Sequence, residues 1–140
     1  MKLLRFRLRR ALLAAAPLFL LSACESSTGS NVEVYALASV KGVPLPAPFA
    51  SGLLVLPHLV TEGTLELRGD GKGSTSTTLT CPPTVPAGTE CIDQPPLEST
   101  LTYSREGEWV RFADGTQYTA TFADGAVTIY YPNAPYEYRQ

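Results

Sequence analysis

A chain of 140 residues with 44% hydrophobic residues has the length of one domain and enough apolar material for a small core. Its net charge of −2 hides an asymmetry: five of the eleven lysines and arginines fall within Met1–Arg10, and residues 24–140 stand at −7 with six dispersed cations. No run of positive charge is left to neutralise a row of phosphates, which argues against nucleic-acid binding and leaves anionic lipid surfaces without an electrostatic grip.

The N-terminal stretch falls into three parts. "MKLLRFRLRR" (Met1–Arg10) is basic, "ALLAAAPLFLL" (Ala11–Leu21) is uncharged and apolar, and the small residues Ser22 and Ala23 lead into Cys24. A basic start, a short apolar core and a small-residue exit describe a secretory signal peptide. Eleven apolar residues containing Pro17 fall short of the roughly twenty that a spanning helix needs. Residues 1–23 are therefore the expected signal peptide. Residues 24–31 are an expected tether, since Glu25–Asn31 ("ESSTGSN") is polar and Gly/Ser-rich, with a reach of roughly 15 Å. Residues 32–140 are the expected folded domain.

"LSAC" at Leu21–Cys24 resembles the lipobox of bacterial lipoproteins. The resemblance implies that the Cys24 thiol carries a diacylglyceryl thioether, that the peptide bond before it is cut, and that the new amine often takes a third acyl chain. Each buried CH₂ contributes about 0.8 kcal/mol, so two or three chains hold a protein on a membrane where one would not. Glu25 stands where, in the diderm relatives of this pattern, an aspartate favours inner-membrane retention. The implied location is the cell envelope, held by the N-terminal lipid, at the outer membrane where the host has one.

With Cys24 given to lipid, Cys81 and Cys91 are an even pair in an exported chain and are expected to form a disulfide. It would close the loop "CPPTVPAGTEC" and stabilise the fold by about 3 kcal/mol in the chain-entropy model. Ten residues of separation is not a C-x-x-C redox or metal spacing, and no histidine lies near the pair in the chain.

Beyond the tether no long stretch carries a helical period. "VEVYALASV" (Val32–Val40) is β-branched and aromatic, and Lys41-Gly42 after it suits a tight turn. "GVPLPAPF" (Gly42–Phe49) has three prolines and should be extended without being a central strand. "SGLLVL" (Ser51–Leu56) is a short apolar run, "TLELR" (Thr64–Arg68) alternates, and "GSTSTTLT" (Gly73–Thr80) is threonine-rich, which favours strand. "LESTLTYS" (Leu97–Ser104) is expected to pair back on it, the disulfide stapling the hairpin near its loop end. "FADG" then occurs twice, at Phe112–Gly115 and Phe122–Gly125, and Asp-Gly between alternating apolar runs is a strong hairpin signal. Period-two alternation puts Val110 and Phe112 on one face, then Tyr118, Ala120 and Phe122, then Val127, Ile129 and Tyr131. "YEYR" near the end suits a last strand.

These elements predict an all-β fold: an up-and-down antiparallel meander of about eight strands forming a small barrel or half-open barrel, since closure removes exposed edges. "YALASVKGVPLPA" (Tyr35–Ala47) and "GEWVRFADGTQYTATF" (Gly107–Phe122) resemble small bacterial lipoproteins with a lipocalin-like meander. That resemblance implies a fold and a place at the envelope and carries no catalytic residue.

Chemistry is sparse. His58 is the one histidine, has no acid beside it, and is expected to be structural, with no nucleophile–base set around it. "RGDGKG" (Arg68–Gly73) lacks the features of a phosphate or calcium loop and fits a hairpin turn. Glu106, Glu108, Asp114 and Asp124 occur in turn contexts, where acids are soluble rather than paired for glycoside chemistry. The richer signal is aromatic: Trp109, Tyr118, Tyr130, Tyr131, Tyr136 and Tyr138 gather in the last third, suited to cross-strand packing, a ligand pocket or a docking face. The expectation is a non-enzymatic protein with no metal or cofactor and an interaction or structural role, toward an envelope protein. The alternative is a binder of a small apolar ligand, which an aromatic-lined cavity of roughly 300 Å³ or more would favour.

Overall fold

The computed structural model describes residues 31–49, 58–85, 87–88 and 90–140. The expected signal peptide, Cys24, most of the tether and the apolar run Ser51–Leu56 lie outside these residues. What is described is built from ten antiparallel strands: β1 (Val32–Val40), β2 (Val43–Pro44), β3 (Ala47–Pro48), β4 (Leu59–Arg68), β5 (Lys72–Thr80), β6 (Leu97–Ser104), β7 (Trp109–Phe112), β8 (Gln117–Ala123), β9 (Ala126–Tyr130) and β10 (Pro135–Arg139). No helix occurs among the described residues. From β4 to β10 each strand pairs with the next, the up-and-down order that the regular turn spacing predicts.

The barrel closes on β1, which divides its pairing between two neighbours. Its first half, Val32–Ala36, pairs with the end of β4, and Ala36–Val40 pairs with β10. Eight strands thereby form a closed ring, and β2 and β3 are additions to it. Lys41 and Gly42, at φ values of 53° and 75°, make the two-residue turn that returns the chain as β2. Two positive φ values match the right-handed twist of a hairpin, and this is why a Gly follows Lys41. Beyond it the chain is held by Ala47, which pairs with Val60 on β4 and is fully buried. Pro44 and Pro48 lie on these two-residue edges, where their missing N–H groups cost no ladder bond.

Alternation decides what fills the interior. Leu65 and Leu67 of β4, Val110 of β7, Ala120 of β8, Val127 and Ile129 of β9 and Tyr138 of β10 are almost completely buried. Phe112, Tyr118, Phe122 and Tyr131 share their inward face but are only half-buried, packed against that core. Truncating a residue such as Ile129 to alanine in so small a core costs about 2–5 kcal/mol. At Gly73 of β5 a Cβ would stand 2.4 Å from the Glu66 carbonyl oxygen, so no larger residue fits without moving backbone.

The two "FADG" stretches make different turns. Asp124-Gly125 is a two-residue link between paired Ala123 and Ala126. In the first copy the loop is longer, with Arg111 paired to Gln117, the Thr116 N–H held by Asp114 Oδ1 at 2.8 Å, and Gly115 at φ 88°. The same four letters take different turns because the strands on either side reach different registers.

Candidate functional site

The two ends of the barrel differ. One end collects the start of β1, the ends of β4, β6, β8 and β10, and the turns between them. It is laced shut. Tyr35 donates its hydroxyl to the Glu33 carboxylate, and Arg105 from the β6–β7 turn pairs with the same carboxylate. The Arg105 guanidinium also lies over the rings of Phe122 (5.5 Å) and Tyr103 (5.9 Å). Tyr103 in turn donates to the Arg68 carbonyl at 2.8 Å, and Gly69 N–H to the Asn31 carbonyl at 3.0 Å. The Tyr35 and Arg105 hydrogen bonds hold the Glu33 carboxyl below the usual carboxylate range, because both favour its charged form.

The other end is hollow. A cavity of about 390 Å³ opens there, lined by the rings of Phe49, Phe112, Tyr118, Tyr131 and Tyr136 and by Leu97. Inward alternation explains the set. Tyr118 and Phe112 are the last inward residues of their strands on this side, Tyr131 follows β9, and Tyr136 opens β10. The rings form a continuous chain: Phe112 to Tyr118 at 5.8 Å, Tyr118 to Tyr131 at 4.9 Å, and Tyr131 to Tyr136 at 4.9 Å between centroids. Tilted and edge-on pairs of this kind gain about 0.5–1.5 kcal/mol each beyond burial. Burial pushes the Tyr131, Tyr136 and Tyr138 hydroxyls well toward their neutral form, raising all three above the usual phenol value. Thr75, Thr77 and Ser99 supply further hydroxyls from β5 and β6.

A slot runs down the wall beside this mouth because β7 is short. The β6–β7 ladder begins at Leu101–Phe112, and the last link across it is Ala113 N–H to the Thr100 carbonyl at 3.0 Å. Peptide groups on one strand point alternately to either side, so the Glu98 peptide faces the same way as that of Thr100, with no strand opposite it among the described residues. Its N–H and C=O line the slot.

The disulfide forms as expected, Cys81 to Cys91 with Cα atoms 5.8 Å apart, and closes the long β5–β6 connection at the mouth end. The sequence placed no histidine near this pair, and the fold does. His58, 4% exposed, sits at 3.5 Å from Cys91 Sγ and 4.0 Å from Cys81 Sγ, its Nε2 at 2.9 Å from the Ile92 carbonyl. The group has the donor types of a metal site, but both sulfurs are spent on each other and only the imidazole remains, short of the three or four ligands a site needs. Phe49 N–H bonds the His58 carbonyl at 3.0 Å, which fastens one wall of the mouth to the disulfide region.

The other sequence candidates fall apart in space or function. Arg68–Gly73 forms the β4–β5 turn, with Lys72 N–H bonded to Asp70 Oδ1 at 3.1 Å. Glu106, Glu108 and Asp124 belong to turns of the closed end, and Asp114 to the β7–β8 loop at the mouth end. Of the aromatic group, Tyr118, Tyr131 and Tyr136 line the cavity while Tyr138 is core. Trp109 and Tyr130 do not line it: Tyr130 is 46% exposed, and Trp109 lies under the Arg111 guanidinium at 5.5 Å. Phe49 and the Glu98 peptide were not readable as site residues, because one is brought in by a two-residue strand and the other is defined by where β7 stops. No family model, curated protein or solved structure matches this chain.

Proposed function

We propose that this protein is a lipid-anchored resident of the bacterial cell envelope that holds a small apolar ligand in the open end of its barrel, without catalysing a reaction. The observation that carries the ligand reading is the 390 Å³ cavity walled by five aromatic rings, beside an opposite end that is filled and laced. Cavities of this size and lining suit small molecules with a few polar groups. An interaction role toward an envelope protein, first in order on sequence alone, gives way to ligand binding because the barrel is hollow where its aromatic residues gather. The anchor reading rests on the basic, apolar and small-residue segments before Cys24, with acyl chains on that thiol. It gives the cavity a direction. Asn31, seven residues after Cys24, is fixed at the closed end by Gly69, so an anchored molecule turns its mouth away from the bilayer.

The test is the intact mass, under non-denaturing conditions, of protein purified from its native envelope. A one-to-one adduct that is absent from Tyr131→Ala protein supports the reading. Unliganded protein alone, from preparations never exposed to denaturant, contradicts it.

A further inference from the structure

Resting on the reading of the mouth as a ligand site, we infer that it takes an uncharged, ring-bearing molecule with hydrogen-bonding groups and rejects fatty acids and other ionised acids. No lysine or arginine is among the described residues that line the cavity. The residues between Phe49 and His58, "ASGLLVLP", contain no charge of either sign. Arg111, the cation of β7, is engaged on the outer surface by Trp109 and the Gln117 side-chain oxygen.

An ionised carboxylate entering this mouth would leave water and meet no counter-charge, which is costly. It would also meet the faces of aromatic rings, which carry the negative part of their quadrupole. Glu98 at the slot and the net −7 of residues 24–140 oppose it further. Apart from Glu98, whose side chain is exposed at the slot, the described lining side chains are neutral. The chain of rings from Phe112 to Tyr136 presents edges and faces for another ring. The hydroxyls of Thr75, Thr77 and Ser99 and the Glu98 peptide, which presents an N–H and a C=O together, match a group such as an amide, phenol or ketone. About 390 Å³ is the bulk of a two- or three-ring molecule.

Two dyes of one skeleton test this. Phenylnaphthylamine is neutral, and anilinonaphthalene sulfonate is the same pair of ring systems with an anionic group; both fluoresce in apolar sites. Titrated into the folded protein, the neutral dye should bind one-to-one and the sulfonate about tenfold or more weakly. Laurate, below its aggregation concentration, should fail to displace the neutral dye. Thr77→Lys, which adds an ammonium at the mouth, should raise the ratio of sulfonate affinity to neutral-dye affinity about tenfold, and an unchanged ratio in the folded variant would overturn the charge argument. Equal binding of the two dyes, or displacement by laurate, overturns the inference while leaving the ligand site standing. Should Thr77→Lys not fold, Ser99→Lys replaces it as the added cation. Failure of the neutral dye to bind a protein that keeps its β spectrum overturns the site itself, and this inference with it.

Discussion

The rings of Tyr118 and Tyr131 meet at 4.9 Å between centroids, tilted by 59°, although twelve residues, including a hairpin turn, separate them. Their contact joins the inward face of β8 to the residue just after β9, and both rings line the open mouth. On the same barrel the opposite end is fastened by Glu33, Tyr35 and Arg105. One barrel therefore has a laced end and an open, aromatic-lined end.

The buried tyrosines set an alkaline limit. Tyr131, Tyr136 and Tyr138 all have raised values, chiefly from burial, so their contribution to stability is complete below the unfolded phenol value near 10 and is lost as the pH rises toward their folded values. Each tyrosine held neutral costs about 1.4 kcal/mol of stability per pH unit in that range. Urea midpoints measured between pH 8 and 11.5 should fall steeply above about 10, and Tyr138→Phe should make the fall shallower. A flat profile would mean that these hydroxyls reach water.

At the closed end the sign reverses. The Glu33 carboxyl is lowered by Tyr35 and Arg105, so the stability it supplies is present above the ordinary value of 4.5 and disappears as the pH falls through the depressed folded value. Because the pair is partly exposed, solvent screening limits it, and Glu33→Gln should cost under about 1 kcal/mol at pH 7. The gap between variant and parent should close in acid, below the folded value. A gap that persists unchanged there would assign the loss to packing.

Reduction of Cys81–Cys91, or replacement of both by serine, should lower stability by about 3 kcal/mol in urea titrations. It should also alter the mouth, because His58 ties Phe49 to the Ile92 backbone beside the bridge. Mass measurement of the unreduced chain should show two hydrogens fewer than the reduced one. Equal masses would refute the bridge.

Cys24→Ser should leave unprocessed precursor that takes up no labelled palmitate. Correctly processed variant protein, still sedimenting with the envelope, would remove the anchor from the account.

Much of this fold is legible in the sequence because strand alternation is a local property. Val110, Ala120, Val127 and Ile129 fall on the predicted inward faces, and Lys41-Gly42 and Asp124-Gly125 make the turns their residues favour. The division of β1 between β4 and β10 is not legible, since both partners satisfy the same alternation and only ring closure selects the shift at Ala36. His58 beside the disulfide was equally hidden: its distance in sequence from Cys91 says nothing about how β4 enters the barrel. For the site, the aromatic cluster was visible, but not which rings share a cavity. Tyr130 and Tyr131 are adjacent letters, yet one faces solvent and the other the mouth.

The most direct test of a hollow, ligand-holding end is a residue-resolved NMR titration of the folded domain with phenylnaphthylamine. Shift changes are expected at Phe49, Leu97, Tyr118, Tyr131 and Tyr136, with Tyr35, Tyr103 and Arg105 unmoved. Changes centred on the Glu33–Arg105 end, or none at the mouth at saturating dye, would contradict the ligand reading.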